Sequence, residues 1–168
     1  MTSTAFSSLS LTSEALANIQ SLGYEVMTPI QAQSLPSILE GKDLLAQAKT
    51  GSGKTAAFAI GLLNKIDVRH FQTQALVLCP TRELADQVSK EIRRLARYMP
   101  NTKITTLCGG KPMGPQLASL EHHPHVVVGT PGRILKHLEK ETLKVGRIKT
   151  LVLYEAGILY TSTSPRDR

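Results

Sequence analysis

The segment Ala48-Lys49-Thr50-Gly51-Ser52-Gly53-Lys54-Thr55 constrains this chain more than any other. It follows a short apolar run, Leu44 to Ala46, and opens a stretch of helical character. Gly51 and Gly53 let the backbone curl so that successive N–H groups aim at one anion, and the helix that follows adds its positive N-terminal end. Lys54 is then expected to reach the β and γ phosphates of a nucleotide, and the Thr55 hydroxyl to hold Mg2+. Ala48 stands where the general pattern has its first glycine. Ala48, Thr50, Gly51, Ser52, Gly53, Lys54 and Thr55 are therefore the expected phosphate-binding residues. Such a loop is shared by kinases, helicases and other enzymes, so it points to a nucleoside triphosphate site and no further.

The rest of the chain alternates. Short apolar runs at Leu44 to Ala46, Ala75 to Cys79, Ile104 to Cys108, Val126 to Gly129 and Leu151 to Tyr154 are separated by longer helix-like stretches. Strands buried on both faces read as continuous apolar runs, and their right-handed crossovers run through helices. The expected fold is α/β, a three-layer parallel sheet with helices on both faces and nucleotide at the carboxyl ends of the strands, incomplete at the C-terminus. Residues 1–40 precede it as two helices. In the first, Ala15, Leu16, Ile19 and Leu22 recur at helical spacing before Gly23. The second starts at Thr28 as N-cap with Pro29 at its first position and runs to about Leu39. The body is expected over 41–156, and 157–168 is expected to be a non-family tail, disordered or artefactual, with all periodicity lost from Tyr160 on.

The 168 residues suit one domain with a real core. No run of about 18 apolar residues exists, and Met1 to Ser13 lacks a basic start and an apolar middle, so no membrane span or secretory signal is expected and the protein is placed in the cytoplasm as a monomer. Cys79 and Cys108 sit in apolar runs without paired spacing, as reduced core thiols do. The net charge of +7 makes nucleic acid the first partner to consider. Lys90, Arg93, Arg94 and Arg97 share one helical face, read as solvated, and His122, His123 and His125 flank Pro124 without the company a metal site needs.

Further motifs stand in order around the loop. Gly23-Tyr24-Glu25-Val26-Met27-Thr28-Pro29-Ile30-Gln31, with Phe6 upstream, precedes it; Pro80-Thr81-Arg82-Glu83-Leu84-Ala85, Gly109-Gly110 and Thr130-Pro131-Gly132-Arg133 follow. Over nearly all of Ala5 to Ala156 the chain resembles the N-terminal RecA-like domain of DEAD-box ATP-dependent RNA helicases. The first segment resembles the family's adenine-reading Q motif, which implies that Gln31 matches the adenine edge with its amide donor and acceptor while Tyr24 offers a ring for stacking. Thr28 and Gln31 also have the spacing of a capping box, the better reading of the pair in isolation. The later segments resemble motif Ia, the glycine doublet and motif Ib, which implies RNA-backbone contacts from Pro80, Thr81, Arg82, Gly109, Gly110, Thr130, Pro131, Gly132 and Arg133, independent of base sequence. Phe71 to Pro80 and Leu107 to Gly110 are worded most like a bacterial subgroup, the DbpA type, whose members recognise ribosomal RNA through a separate C-terminal domain and serve ribosome biogenesis.

The resemblance breaks at motif II. Where the family reads Asp-Glu-Ala-Asp, this chain has Tyr154-Glu155-Ala156-Gly157. The resemblance implies that the missing first Asp would hold Mg2+, that Glu155 orients the attacking water, and that Lys54 and Glu155 are the catalytic pair. A phenol is a poor substitute for a carboxylate on Mg2+, so hydrolysis should fall on the order of 10³-fold or more. From Gly157 the family pattern ceases, which suggests a truncation or, the favoured reading, a translated piece of foreign nucleotide sequence. The competing functions are a non-catalytic regulatory module that binds ATP or RNA, and another phosphate-loop enzyme that does not select adenine.

Overall fold

The computed structural model describes residues 4–47, 51–155 and 158–162. A 3-10 turn at Phe6–Ser8 leads into α1 (Ser13–Ser21) and α2 (Pro29–Leu39). Then come β1 (Leu44–Gln47), α3 (Lys54–Asn64), β2 (Ala75–Leu78), α4 (Arg82–Leu95), β3 (Ile104–Leu107), α5 (Met113–Glu121), β4 (Val126–Gly129), α6 (Pro131–Glu139), β5 (Thr150–Glu155) and β6 (Ile158–Ser162). The helix starts follow local chemistry. The Thr12 and Thr28 hydroxyls accept from the backbone N–H of Ala15 and Gln31, and Pro29 opens α2 with a φ already helical.

The sheet has the order β1-β6-β5-β2-β4-β3, with β5, β2, β4 and β3 parallel. Side chains alternate across it. Ala75, Val77, Cys79, Val126, Val128, Val152 and Tyr154 join a core with α1 to α4, whereas Leu76, Val127, Leu107 and Leu151 pack on the other face with Leu120, Ile134 and Leu143. Both faces of the central strands are thus covered, which is why they are apolar throughout rather than in alternate positions. This is the three-layer arrangement expected. On the first face α2 and α3 touch so closely that a Cβ on Gly61 would stand 2.2 Å from Ile38 Cγ2. Cys79 and Cys108 are buried free thiols. Among the described residues no helix is long and apolar enough to cross a membrane.

The structure departs from the sequence reading at its end. A tail without regular structure is expected from residue 157, yet Ile158–Ser162 forms β6, antiparallel to both neighbours, with Leu153 opposite Tyr160 and Leu45 also opposite Tyr160. β1 and β5 run in the same direction with one strand's width between them, and their main-chain groups need partners in that gap. A chain returning at once from the end of β5 can fill it only antiparallel, and Ile158, Tyr160 and Thr161 are residue types that favour strands. Residues 163–168 lie outside the described residues.

Candidate nucleotide site and the adjoining sheet edge

β1 points the same way as the parallel strands, so the loops after β1, β2, β3, β4 and β5 all emerge at one edge of the sheet. Chemistry at the carboxyl ends of strands is the general rule for such folds. Among the described side chains, the candidates named from the sequence belong to this edge or to the N-terminal segment beside it.

The phosphate loop ends in two left-handed glycines, Gly51 at φ +82° and Gly53 at φ +89°. Gly53 is the N-cap of α3 and Lys54 its first residue, so the positive end of the helix and the ammonium group converge. The Ser52 hydroxyl is buried without a hydrogen-bond partner among the described residues. A buried orphan hydroxyl beside a helix N-terminus and a lysine fits an anionic group such as phosphate. Ala48 and Thr50, two of the expected phosphate contacts, lie outside the described residues.

The Q-motif-like segment meets this loop directly. Thr28 and Gln31 form the capping box: Thr28 Oγ1 accepts from Gln31 N, and Thr28 N donates to Gln31 Oε1 at 2.9 Å. Gln31 Nε2 donates to the Gly53 carbonyl at 3.1 Å, although Gln31 is only 1% exposed. The two readings weighed for Gln31 are therefore compatible. One amide N–H and one oxygen lone pair remain beyond these bonds. Tyr24 turns its edge to Phe6 and donates its hydroxyl to the Glu91 carboxylate. Burial, then the bond to Glu91, pushes its phenol up to about 12. Tyr24, Thr28, Gln31, Gly53, Lys54 and Tyr154 line a cavity of about 680 Å3, closed on a further side by Pro80, Leu84, Gln87 and Glu91 of the α4 region. Sequence reasoning missed Glu91 and Gln87, which carry no motif and join the site only because α4 packs beside α3.

Tyr154 stands at the far side of the loop. Its hydroxyl is hydrogen-bonded to Thr55 Oγ1, its ring meets Phe58 edge-on at 5.4 Å, and the Lys54 ammonium lies 5.6 Å from its centroid. It is 6% exposed, and burial pushes its hydroxyl up to about 12. Thr55, the residue expected to hold Mg2+, has its hydroxyl engaged with a neutral phenol, and among the described residues no group of three His, Cys, Asp or Glu gathers to hold a metal. These residues as arranged do not fit Mg2+. The Glu155 side chain lies outside the described residues.

The remaining candidates cluster after β2, β3 and β4. Thr81 caps α4 by accepting from Leu84 N at 3.2 Å, and Arg82 lies against Gly110, whose added Cβ would stand 3.0 Å from Nη1. Thr130 makes no such cap. Its hydroxyl instead accepts from Gly109 N at 3.0 Å, tying the loop after β4 to the glycine doublet. Pro131 and Gly132 open α6, and Arg133 donates to the Lys111 carbonyl at 2.7 Å and to Gln116 Oε1 at 3.1 Å. Buried Gln116 also donates to the Cys108 carbonyl and meets His137 Nε2, a hub with no signature in the sequence. Pro80, Thr81, Arg82, Gly110, Pro131 and Gly132 are exposed, so the edge presents a hydroxyl, a guanidinium and main chain to solvent. His125 is taken up by the main chain, its ring nitrogens meeting Lys103 N and the Val68 carbonyl.

Known proteins are similar to this chain in sequence and in fold. The chain is 63% identical to ATP-dependent RNA helicase DbpA of Escherichia coli over 91% of its own length and 34% of that protein's. It is 44% identical to DEAD-box ATP-dependent RNA helicase CshA of Bacillus cereus over 91% of its length and 29% of the relative's. It thus spans about a third of the curated relatives it matches. The crystal structure of a DEAD box protein from Methanococcus jannaschii superposes with a TM-score of 0.84 at 41% identity, covering 89% of this chain and 41% of that one. Saccharomyces cerevisiae Dbp5 bound to RNA and ADP BeF3 superposes at 0.80 with 27% identity, covering 89% and 38%. The family's dependence on nucleotide agrees with the loop, the orphan hydroxyl and the adjoining cavity, and with a DEAD/DEAH box helicase family model fitting residues 28–164 the chain belongs to that family.

Proposed function

We propose that this chain is the part of an ATP-dependent RNA helicase that binds adenine nucleotide and the RNA backbone, in a protein that couples ATP hydrolysis to strand separation. One observation carries the reading: the Gln31 amide and the phosphate loop share a hydrogen bond and line one cavity. Gln31 has one donor and one acceptor left, the pair that adenine's N7 and N6 amino group require. Gly51, Ser52, Gly53 and Lys54 then hold the phosphates, with Ala48 and Thr50 at the loop's start. Tyr24 contributes a cavity wall. Phosphoryl transfer in this fold is chiefly positioning and charge neutralisation, and Lys54 supplies both. Glu155 as the group that orients water completes the proposed catalytic pair.

RNA is assigned to the edge formed by Pro80 to Arg82, Gly109, Gly110 and Thr130 to Arg133. Its groups suit phosphate and ribose and read no base edges. The RNA-bound yeast relative supports that class of partner. The fuller reading, a cytoplasmic monomer that serves ribosome biogenesis by acting on ribosomal RNA, rests on the DbpA-type resemblance. Turnover by the chain itself is expected to be slow, because a phenol stands where the family has a carboxylate.

The test is equilibrium binding of fluorescent ATP and GTP analogues to the folded chain, with Lys54→Ala as control. Adenine-selective binding lost in the control supports the assignment. A folded chain that binds neither nucleotide, or both equally, removes it.

A further inference from the structure

This inference rests on the nucleotide reading and concerns how that site meets the metal that ordinarily accompanies a nucleoside triphosphate. In phosphate-loop proteins the hydroxyl after the loop lysine is a protein ligand of Mg2+, shared with an acidic residue from a neighbouring strand. Here the hydroxyl is Thr55 Oγ1, and it is hydrogen-bonded to the Tyr154 hydroxyl at the end of β5. Mg2+ demands near-octahedral oxygen ligands, preferably carboxylate, and a neutral phenol is a weak one.

Tyr154 is not a side chain that swings aside cheaply. Its ring is buried against Phe58, the Lys54 ammonium lies over its face, and β5 is held in register on β2 with Leu153 opposite Leu78. Moving it out would expose an aromatic ring and open a void beside Phe58, which is 1% exposed. Meanwhile the groups that attract phosphate remain in place: the left-handed glycines, the orphan Ser52 hydroxyl, the start of α3 and Lys54. Phosphate recognition and metal recognition, normally joined in this loop, are separated.

We propose that this chain binds adenine nucleotide without magnesium, the Tyr154 hydroxyl holding on Thr55 the position that a metal would otherwise take. Tyr154 is a positioning residue in this scheme: it lines the cavity and acts on the metal position through Thr55.

The experiment titrates a fluorescent ATP analogue into the purified 168-residue chain in EDTA and again in millimolar Mg2+, with folding checked by circular dichroism. Affinity in the two conditions is expected to agree within about twofold, and Lys54→Ala to abolish binding in both. Tyr154→Phe keeps the ring and its packing but releases Thr55, so Mg2+ should now tighten binding by about threefold or more. Tyr154→Asp adds a carboxylate and should raise the Mg2+ effect to about tenfold or more. Mg2+ tightening the unaltered chain by about tenfold would leave the nucleotide reading intact and overturn this one. Equal Mg2+ insensitivity in the unaltered chain and in folded Tyr154→Phe would overturn it too, since the hydroxyl would then not be what excludes the metal. Binding to none of the folded proteins would instead remove the nucleotide reading on which the inference stands.

Discussion

Gln31 Nε2 donates to the carbonyl oxygen of Gly53 at 3.1 Å, joining the start of α2 to the last turn of the phosphate loop across 22 positions of sequence. The same carbonyl accepts from Ala57 N at 3.1 Å, so it also begins the hydrogen-bond ladder of α3. A group bound at Gln31 therefore acts on the phosphate side through one shared atom.

Gln31→Glu separates the two uses of this side chain. A carboxylate still accepts from Thr28 N, so the capping box survives, but it cannot donate to Gly53 and faces that carbonyl with like partial charge. Nucleotide affinity is expected to fall about tenfold or more while helix content is kept, and Gln31→Ala, which removes both bonds from a buried position, should also cost about 1–3 kcal/mol of stability. Fluorescent nucleotide binding and denaturant unfolding measure the two effects. Unchanged affinity in folded Gln31→Glu would show that the Gly53 contact carries no coupling.

Gly53 tolerates no side chain. At φ +89° any L residue is strained by about 1–3 kcal/mol, and a Cβ there would stand 2.5 Å from Gln31 Nε2 and 2.9 Å from Thr28 Oγ1. Gly53→Ala should therefore weaken both folding and nucleotide binding. Gly146, with nothing within 4 Å of its added Cβ and no positive φ, is the control, and Gly146→Ala is expected to be neutral or to stabilise by up to about 1 kcal/mol. Thermal unfolding of the pair checks this. Equal melting temperatures would remove the steric argument.

Thr130 separates RNA binding from nucleotide binding. Its hydroxyl accepts from Gly109 N, and it is absent from the lining of the nucleotide cavity. Thr130→Val keeps the shape, leaves Gly109 N without this acceptor, and should weaken single-stranded RNA binding about fivefold, roughly 1 kcal/mol. ATP-analogue affinity should stay as it was. Fluorescence anisotropy with labelled RNA measures the first, and a variant that binds RNA as well as the parent chain would take the glycine-doublet loop out of the proposed interface.

Much of this was legible because it is local. The strands from Ala75 to Cys79 and Val126 to Gly129 are apolar on both faces, and the Thr12 and Thr28 caps sit next to the N–H groups they satisfy. In the sequence Thr81 and Thr130 look alike, each standing just after an apolar run and counted among the expected RNA-backbone contacts. The structure splits them, because a glycine loop from β3 comes close enough to Thr130 to take its hydroxyl. The same holds at Tyr154. Its identity announces the loss of a metal ligand, but its bond to Thr55 depends on β5 and α3 lying side by side, which no spacing reveals. β6 was illegible for a related reason: its pairing is set by the gap between β1 and β5 rather than by any pattern of its own.

The Gln116 hub should make the proposed RNA-binding edge sensitive to acid. Gln116 Nε2 donates to the Cys108 carbonyl, so its Oε1 is the acceptor, and His137 Nε2 must be the nitrogen that carries a proton. Burial first, then the charges of Arg133 and Lys140, hold His137 below its ordinary value of 6.5, which favours the neutral imidazole. A group with a depressed folded pKa gives its stabilisation in full above the unfolded value and loses it as pH falls through the folded one. Melting temperature should accordingly drop from neutral pH toward about pH 5, more steeply than in His137→Gln, which cannot titrate. RNA affinity should follow, because a charged imidazole beside Gln116 repels the Arg133 guanidinium that shares its Oε1. Parallel pH slopes for the two proteins in thermal unfolding would show that His137 is not the group responsible.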